Sequence, residues 1–434
     1  MVDVIVRNTE RLSGQVCAPP SKSYTQRMVI AAALSNGVSK VSNPLLSEDT
    51  QATCRAVTAI GAKVKTNEDC WTIEGAKTLN AAKEPIDCGE SGATLRFMIP
   101  VAALAHGPST LVFRSSLERR PVEPLLSSLK ELGAEACIGK VGERDAVFVD
   151  GRGIEGGKTS IPGDVSSQFI SGLMFACPLA KVDTEITLTS LLESADYVMM
   201  TRDVLAKHQV KVSIPNDFAN ISIPANQTYK PADGRVPGDF SSASFLLAAA
   251  AITNSNVQIN NLNYKSVQGD KAILNILKQI GVAGKVCEDS VEVESSDDLL
   301  DAVDVDAKNI PDLVPVCAVL ACYVQGTTRI FNAHRLRLKE SDRLFSLYIN
   351  LRKMGAQIEM DESSLTIVGR RVLHGTEVDS YNDHRIAMAC AVAALGAEGE
   401  TTIQNAECVR KSYPQFFTHL RQIGADVVGG KFDR

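Results

Sequence analysis

Three cations recur every four residues in the ten-residue stretch RLRLKESDRL, which begins at Arg335. If this stretch is helical, Arg335, Lys339 and Arg343 lie on one face, where like charges repel by roughly a few tenths of a kcal/mol per pair. Glu340 and Asp342 then point to other sides of the same turn. A solvated helix face is the common fate of such a run. The alternative is a site that binds an anion.

Other candidate anion ligands stand where apolar, Ala-rich segments begin. A helix N-terminus has unpaired N–H groups and the positive end of the helix dipole, so it binds anions. A serine at such a place is more often a cap than a ligand, and the recurrence is stronger evidence than any one member. The residues at these starts are Lys22, Ser23, Arg27, Gly92, Arg96, Ser166, Ser167, Gln168 and Arg385.

Three further candidates lie in short polar stretches. In ERRPVEPLL, Arg119 and Arg120 precede a helix that a proline starts, and in CVRKSYPQFF, Lys411 precedes the last outer helix. Exposed surface explains either stretch as well as a function does. Asp312 is the only carboxylate ahead of the apolar run in NIPDLVPVCAV. Its default role is a helix N-cap, and the alternative is a base held beside cations.

The elements that carry these residues repeat along the chain. Six segments read as the end of an amphipathic helix, usually a glycine in the C-cap region, and a return into a strand. The period is roughly 70 to 75 residues, which indicates a fold built from repeated units. The marker positions are Gly61, Gly133, the region near His208, Gly281, Gly355 and Gly424.

A second series of six segments runs in step with the first. Each begins with small or polar residues and continues as an Ala-rich helix that is apolar nearly all round, as in SSASFLLAAAAI, so these helices should be buried. Short alternating stretches between the helices, such as TLVFRSS, predict strands. The sequence therefore predicts an α/β (α+β) fold of six units, each with a buried helix, an outer helix and a few strands.

Two stretches interrupt the repeats and contain the Pro and Gly of stiff connectors: CAPPSK from Cys17 and KPADGRVPGD from Lys230. If both cross between the same two bodies, residues 1–20 and 238–434 form one lobe of three units. Residues 21–237 then form an inserted lobe of three units. We expect an active-site cleft between the lobes.

Composition excludes several classes of protein. The 434 residues carry a net charge of −6, so a broad nucleic-acid-binding surface is not expected. The first residues, MVDVIVRNTERLSG, carry charges where a signal peptide needs an apolar stretch, and the longest apolar runs are too short to span a membrane. The eleven cysteines form no C-x-x-C motif. We expect a cytoplasmic protein with no metal and no cofactor.

Several motifs together resemble one enzyme family over essentially the full chain. The motifs are PSKSYTQR, GESGATLRF, RRPVEPL, SSQFISGL, PDLVP, LKESDRL, YNDHRIAM and KSYPQFF. Their order and spacing resemble those of 5-enolpyruvylshikimate-3-phosphate synthase. The resemblance implies a two-lobed inside-out α/β barrel of six βαβαββ repeats, three per lobe. It also implies transfer of the enolpyruvyl group of phosphoenolpyruvate to the 5-hydroxyl of shikimate 3-phosphate, with release of phosphate.

The same resemblance implies roles for particular residues. Asp312 resembles the base that acts on the 5-hydroxyl, Glu340 the group that protonates the vinyl carbon, and Lys22 a third catalytic residue. The implied ligands of shikimate 3-phosphate are Lys22, Ser23, Arg27, Ser166, Ser167, Gln168, Ser194, Asp312, Arg335 and Lys339. The implied ligands of phosphoenolpyruvate are Lys22, Gly92, Arg120, Gln168, Arg343, Arg385 and Lys411.

Some positions depart from the family pattern, and two other functions remain in competition. Arg335 stands where the family often has Asn, and Glu90, Ala93 and Phe97 replace common choices near Gly92. The sister transferase that acts on UDP-N-acetylglucosamine should have a Lys-Asn pair near its start and a cysteine in the loop before the proline-started helix. A repeat-built scaffold that only binds phosphorylated ligands would have no use for two carboxylates among cations. We expect a monomer that acts on small molecules.

Overall fold

The computed structural model describes residues 2–296 and 298–432. Helices and short strands alternate through this part of the chain. Its α-helices are α1 (Lys22–Ala33), α2 (Glu48–Ala59), α3 (Gly92–Ala103), α4 (Glu123–Glu131), α5 (Ser167–Ala176), α6 (Ala195–Lys207), α7 (Phe240–Ile252), α8 (Ile273–Gln279), α9 (Val314–Tyr323), α10 (Arg343–Lys353), α11 (His384–Leu395) and α12 (Phe416–Gln422).

The strands are two to six residues long. They are β1 (Val4–Arg7), β2 (Ser13–Cys17), β3 (Val38–Ser42), β4 (Lys63–Lys65), β5 (Cys70–Glu74), β6 (Ile86–Asp87), β7 (Ser109–Val112), β8 (Ala136–Val141), β9 (Arg144–Val149), β10 (Gly157–Ile161), β11 (Thr184–Leu188), β12 (Asn220–Ile223), β13 (Gly234–Arg235), β14 (Asn256–Asn260), β15 (Ala283–Val286), β16 (Ser290–Glu294), β17 (Val305–Asp306), β18 (Thr327–Phe331), β19 (Gln357–Met360), β20 (Leu365–Val368), β21 (Glu377–Asp379), β22 (Glu400–Gln404) and β23 (Val427–Val428).

The chain divides into two compact units, Met1–Pro19 with Pro237–Arg434, and Pro20–Val236. The first unit contains the sheets β21-β22-β1-β23, β15-β16-β14-β2 and β17-β18-β20-β19. The second contains β10-β11-β12, β13-β3-β5-β4 and β6-β7-β9-β8. In the described residues each unit thus has three sheets and six α-helices, which confirms the predicted six repeats.

Each sheet contains one parallel pair of strands, and the connections follow a simple rule. In four sheets a buried helix joins the two parallel strands, as α3 joins β6 to β7. The other two sheets exchange a strand at the crossings between units. Strand β2 leads into α1, but it pairs with β14, the strand that follows α7. Strand β13 leads into α7, but it pairs with β3, the strand that follows α1. With these exchanged strands, each of the two sheets has four strands and one parallel pair.

The helices that were predicted to be buried form the centre of each unit. All residues of α11 and nearly all of α7 and α9 are buried. Each unit has its own cluster of buried apolar side chains, and these helices contribute to it on every face. The prediction from the all-round apolar pattern is therefore confirmed.

The outer helices end as the first repeated signature predicts. A glycine with positive φ follows five of them, at φ values from 78° for Gly133 to 116° for Gly61. In the third copy the same place after α6 is taken by Gln209, which adopts φ 60°. The left-handed turn is therefore kept where the glycine is missing, at a cost that a glycine would not have.

Among the helices formed by residues 2–296 and 298–432, none combines the length and the apolar character that crossing a bilayer requires.

Replacing Gln209 by glycine should stabilise the protein. The left-handed conformation costs a residue with a Cβ atom more than it costs glycine, and the extra freedom of glycine in the unfolded chain offsets part of the gain. We expect Gln209→Gly to raise the free energy of unfolding by about 0.5–1 kcal/mol, measured by urea denaturation. Ala206→Gly, in the last turn of α6, is the matched control and should lower it. A loss of stability in Gln209→Gly would contradict the argument.

Candidate active site

Two groups of predicted site residues occur, one in each unit, and in the Pro20–Val236 unit they stand at helix starts. Lys22 is the first residue of α1, and its Nζ lies 2.9 Å from Oδ2 of Asp49 on α2. Ser91 caps α3, which begins at Gly92, because its hydroxyl accepts a hydrogen bond from the Thr94 N–H. These capped starts follow from Ser at the N-cap position, as the sequence indicated.

Arg27 is buried on α1 among neutral groups. Its guanidinium donates to Thr201 Oγ1 at 2.8 Å and to the carbonyl oxygens of Ser23 and Tyr197. It also lies 5.0 Å from the ring centroid of Phe97 and 5.7 Å from that of Tyr197. Burial lowers the pKa of Arg27 to about 10. Because no carboxylate is among these contacts, the charge of Arg27 can attract a bound anion. Each of its three nitrogens already donates to a protein oxygen.

The remaining predicted residues of this unit lie at the starts of α5 and α6 and in the loop before α4. The hydroxyl of Ser166 accepts from the Gln168 N–H at 3.3 Å, so Ser166 is the cap of α5, and Ser167 is its first residue. Ser194 precedes α6 with φ 56° and is buried. Arg120 is buried in the loop, and its Nη1 would lie 3.2 Å from a Cβ atom added at Gly92. Gly92 therefore leaves space next to a guanidinium.

The group in the other unit is organised around Arg343, whose side chain is 1% exposed. Its Nε donates to Asp383 Oδ2 at 2.8 Å, its Nη1 to Asp312 Oδ1 at 2.8 Å and its Nη2 to Glu340 Oε2 at 2.6 Å. Burial alone would lower the pKa of Arg343, but the three carboxylates outweigh burial and raise it. One guanidinium thus holds three carboxylates.

Asp312 lies between Arg343 and two other cations. Its Oδ2 is 3.2 Å from Arg385 Nη2, and its Oδ1 is 3.8 Å from Lys339 Nζ. Burial favours the neutral acid, but Arg385, Lys339 and Arg343 outweigh burial and hold the pKa of Asp312 well below its usual range. Helix α9 begins at Val314, after Leu313 in the N-cap position, with no side-chain cap hydrogen bond. The default interpretation of Asp312 as a helix cap is therefore wrong.

The stretch from Arg335 to Arg343 is not one helix. Residues His334–Leu338 form a 3-10 helix, Lys339 is extended, and α10 begins at Arg343 with Asp342 as its cap. The expectation that Arg335, Lys339 and Arg343 share one helical face is therefore wrong. Glu340 was expected to point away from these cations, but it accepts a hydrogen bond from Arg343.

Arg335 and Lys411 are both buried and both donate to main-chain carbonyls. Arg335 Nη2 donates to Lys308 O at 2.7 Å, and Lys411 Nζ donates to Asn382 O at 2.7 Å. Asn382 immediately precedes Asp383, so Lys411 lies beside the loop that starts α11. Burial lowers the pKa of Lys339 to about 8, and the nearby Arg343 and Arg335 act in the same direction, while Asp312 opposes them.

Sequence reasoning missed three aspartates next to the predicted residues. Asp383 is fully buried, contacts Arg343 and caps α11 by accepting from the Arg385 N–H at 2.9 Å. Its place before an Ala-rich helix is the signal that drew attention to Asp312. Asp49 pairs with Lys22. The third, Asp270, is buried near Asp312, and burial and that charge raise the pKa of Asp270 to about 7.

A family model described as EPSP synthase (3-phosphoshikimate 1-carboxyvinyltransferase) matches residues 6–420. The chain belongs to the EPSP synthase family. It is 43% identical over 428 residues to the 3-phosphoshikimate 1-carboxyvinyltransferase of Methanocaldococcus jannaschii, covering 98% of this chain and 99% of that protein. It is 44% identical to the same enzyme of Methanocella arvoryzae, covering 95% of this chain and 97% of that protein.

Solved structures of EPSP synthases and of a related transferase share the fold. An EPSP synthase from Acinetobacter baumannii matches with a TM-score of 0.83 and 24% identity, over 99% of this chain and 100% of that chain. The enolpyruvyl transferase NikO from Streptomyces tendae matches with a TM-score of 0.81 and 18% identity, over 99% of each chain. These likenesses confirm the predicted fold class. At such identities they carry no information on the acceptor substrate.

Removing the guanidinium of Arg343 should destabilise this EPSP synthase family member strongly, because it leaves the fully buried Asp383 and the partly buried Asp312 and Glu340 without their shared cation. We expect Arg343→Met to lower the free energy of unfolding by about 3–5 kcal/mol, measured by denaturant titration. The matched control is Arg7→Met in the same unit, where Arg7 pairs with Glu400 and Asp426 and all three side chains are about half exposed. Its loss should stay below about 1 kcal/mol. Equal losses in the two variants would contradict the argument.

Proposed function

We propose that this chain transfers the enolpyruvyl group of phosphoenolpyruvate to the 5-hydroxyl of shikimate 3-phosphate and releases phosphate. The observation that carries the proposal is a cluster in which two predicted catalytic carboxylates, Asp312 and Glu340, accept hydrogen bonds from the one guanidinium of Arg343. The chain that contains this cluster matches the family model over residues 6–420. The relatives at 43% and 44% identity are named for this reaction.

In the addition step, the 5-hydroxyl oxygen forms a bond to C2 of phosphoenolpyruvate. Its proton passes to Asp312, and Glu340 gives a proton to C3. In the elimination step, Glu340 takes a proton back from C3, the double bond reforms and the bond from C2 to the phosphate oxygen breaks. The phosphate leaves with the proton that Asp312 accepted, so both carboxyl groups return to their starting states. Arg343 holds both carboxylates at different nitrogens, so it can keep the base and the acid at a constant separation through both steps.

Asp312 is a weak base as long as its cations hold it. Arg385 and Lys339 are both assigned to anionic substrates, and the phosphate and carboxylate groups of those substrates compete with Asp312 for the same cations. Binding of the substrates therefore weakens the hold on Asp312 and raises its proton affinity. The cluster would become basic only when there is a hydroxyl to deprotonate.

The proposal assigns most cations to substrate binding. Two substrates with several negative charges need such a number, and arginine suits carboxylate and phosphate oxygens. Shikimate 3-phosphate is assigned to Lys22, Ser23, Arg27, Ser166, Ser167, Gln168, Ser194, Asp312, Arg335 and Lys339. Phosphoenolpyruvate is assigned to Lys22, Gly92, Arg120, Gln168, Arg343, Arg385 and Lys411. A cleft shared by the two units, a monomeric state and a cytoplasmic location stay predictions.

The sister reaction with UDP-N-acetylglucosamine is the second candidate. The chain has Ser23 after Lys22 where that transferase should have Asn, and Arg119 and Arg120 in the loop where a cysteine is expected. The relatives are named for the shikimate substrate. These observations favour shikimate 3-phosphate as the acceptor.

The test is phosphate release from phosphoenolpyruvate with each acceptor in turn. We expect turnover with shikimate 3-phosphate and none with UDP-N-acetylglucosamine.

Asp312→Asn should lower kcat by at least about 100-fold, because it removes the base and keeps the shape. The control Asp306→Asn changes an exposed carboxylate of the same unit and should leave kcat unchanged. Turnover only with the second acceptor, or wild-type kcat in Asp312→Asn, would contradict the proposal.

The pKa of Lys339 predicts how binding depends on pH. Lys339 attracts the substrate only when protonated, and its pKa of about 8 means that it loses its charge as the pH rises through that value. The affinity for shikimate 3-phosphate should therefore be constant below pH 8 and fall above it, by at most about tenfold per pH unit. Calorimetric titration between about pH 7 and 9.5 measures this, because a phosphate is already a dianion there.

Lys339→Arg is the control for this pH dependence, since a guanidinium keeps its charge over the whole range. Its affinity for shikimate 3-phosphate should change little with pH. If the wild type and Lys339→Arg lose affinity in parallel, another group is responsible and the assignment of Lys339 is wrong.

A further inference from the structure

Arg96 is not one of the residues assigned to phosphoenolpyruvate, but it lies next to two of them, Gln168 and Arg120. It is buried on α3, one turn after Gly92. Its Nη1 donates to Gln168 Oε1 at 2.8 Å, and its guanidinium carbon lies 5.2 Å from the ring centroid of Phe169. Arg96 therefore connects α3 to the first turn of α5.

The contact decides which way the Gln168 amide faces. A glutamine amide has an oxygen that accepts and an NH2 group that donates, and rotation by half a turn exchanges the two. A guanidinium can only donate, so the atom that faces Arg96 must be the oxygen. The NH2 group of Gln168 then lies at the opposite edge of the amide, and Gln168 is only partly buried.

Substrates with phosphate and carboxylate groups present acceptors. An NH2 group can donate to those oxygens, whereas a rotated amide would place its own oxygen against them and repel them. A hydrogen bond to a cation is stronger than one between neutral groups, so Arg96 holds the favourable orientation before any substrate arrives.

The surrounding backbone keeps Arg96 at this place. A Cβ atom added at Gly172 on α5 would lie 2.5 Å from the Arg96 carbonyl oxygen, so the two helices approach as closely as a glycine allows. Arg96 Nη2 also donates to Pro121 O at 3.4 Å, in the residue after Arg120. The same side chain thus contacts α5 and the loop that carries Arg120.

We propose that Arg96 is a positioning residue that orients the side-chain amide of Gln168, so that its NH2 group faces the substrates. The inference rests on the proposed function, in which Gln168 touches both of them. Arg96 acts through Gln168 and need not touch a substrate itself.

A double-mutant cycle tests this with the full chain. Arg96→Met removes the donors and keeps an apolar stem against Phe169. Alone, it should lower kcat/KM for phosphoenolpyruvate by roughly 10- to 100-fold, mostly through KM, as expected for the loss of a charged hydrogen bond. In a Gln168→Ala background there is no amide to orient, so the further loss should be less than about threefold.

Arg96→Lys is the second variant, and it applies even if Arg96→Met does not fold. A lysine can still donate to Gln168 Oε1, but with one group instead of a fork. Compared with the protein that has Arg96, Arg96→Lys should therefore lower kcat/KM when Gln168 is present, by less than Arg96→Met does. It should leave kcat/KM nearly unchanged in the Gln168→Ala background. Equal effects of the Arg96 variants in both backgrounds would overturn the proposal, because Arg96 would then act on the substrate or on the fold alone.

A second measurement does not depend on turnover. In protein labelled with ¹⁵N-glutamine, the side-chain amide signal of Gln168 is the one that disappears in Gln168→Ala. We expect Arg96→Lys to shift that signal and to speed its hydrogen exchange. An unchanged signal would overturn the proposal whether or not the enzyme uses shikimate 3-phosphate. Absence of turnover in the wild type together with a shifted signal would count against the proposed function only.

Discussion

The shared guanidinium of Arg343 is the interaction on which the candidate catalytic group depends. Carboxylates that are brought together in a buried place repel one another and take up protons unless a cation compensates them. The rigid, planar fork of an arginine can serve several carboxylates at once in fixed directions, which an ammonium group cannot do. Because Asp312, Glu340 and Asp383 each meet a different nitrogen or edge of that fork, the geometry of the guanidinium sets the spacing of Asp312 and Glu340, the two predicted catalytic carboxylates.

The same arrangement links the chemistry to the stability of the unit. Asp383 connects Arg343 to the first turn of α11, so the helix start that presents Arg385 and the cation that holds Asp312 share one buried carboxylate. Breaking a buried ion pair is costly because the remaining charge stays desolvated. Loss of either Arg343 or Asp383 would therefore leave the other charge buried without its partner.

Local patterns predicted the repeated architecture well. The all-round apolar helices and the glycines after the outer helices depend on residues a few positions apart, so the sequence shows them directly. Even the third copy follows the rule, since Gln209 adopts the left-handed conformation that glycine has elsewhere. The motifs at the helix starts also placed Lys22, Gly92 and Ser167 at the first turns that the structure gives them.

The contacts that shape the candidate catalytic group could not be predicted in this way. Asp312 meets Arg343 across 31 positions and Arg385 across 73, and no periodicity reports such distances. The helical expectation for the stretch that begins at Arg335 failed for a similar reason. Arg337 lies in the 3-10 helix and donates to the carbonyl oxygens of Asp361 and Glu362, and local periodicity does not show such contacts with distant residues. Burial and ion pairing override local propensity where partners come from other repeats.

The strand exchange at the crossings has a consequence for the newly synthesised chain. The Asp239 N–H donates to Pro19 O at 2.8 Å. The two ends of the other unit to which residues 20–236 are joined therefore lie next to each other. That inserted unit emerges from the ribosome as a continuous segment and can fold at once. The first strands cannot, since Leu12 must wait for Ser255, 243 positions later. Until then the apolar residues of β1 and β2 have no sheet to join, because their partners β22, β23 and β14 come later in the chain.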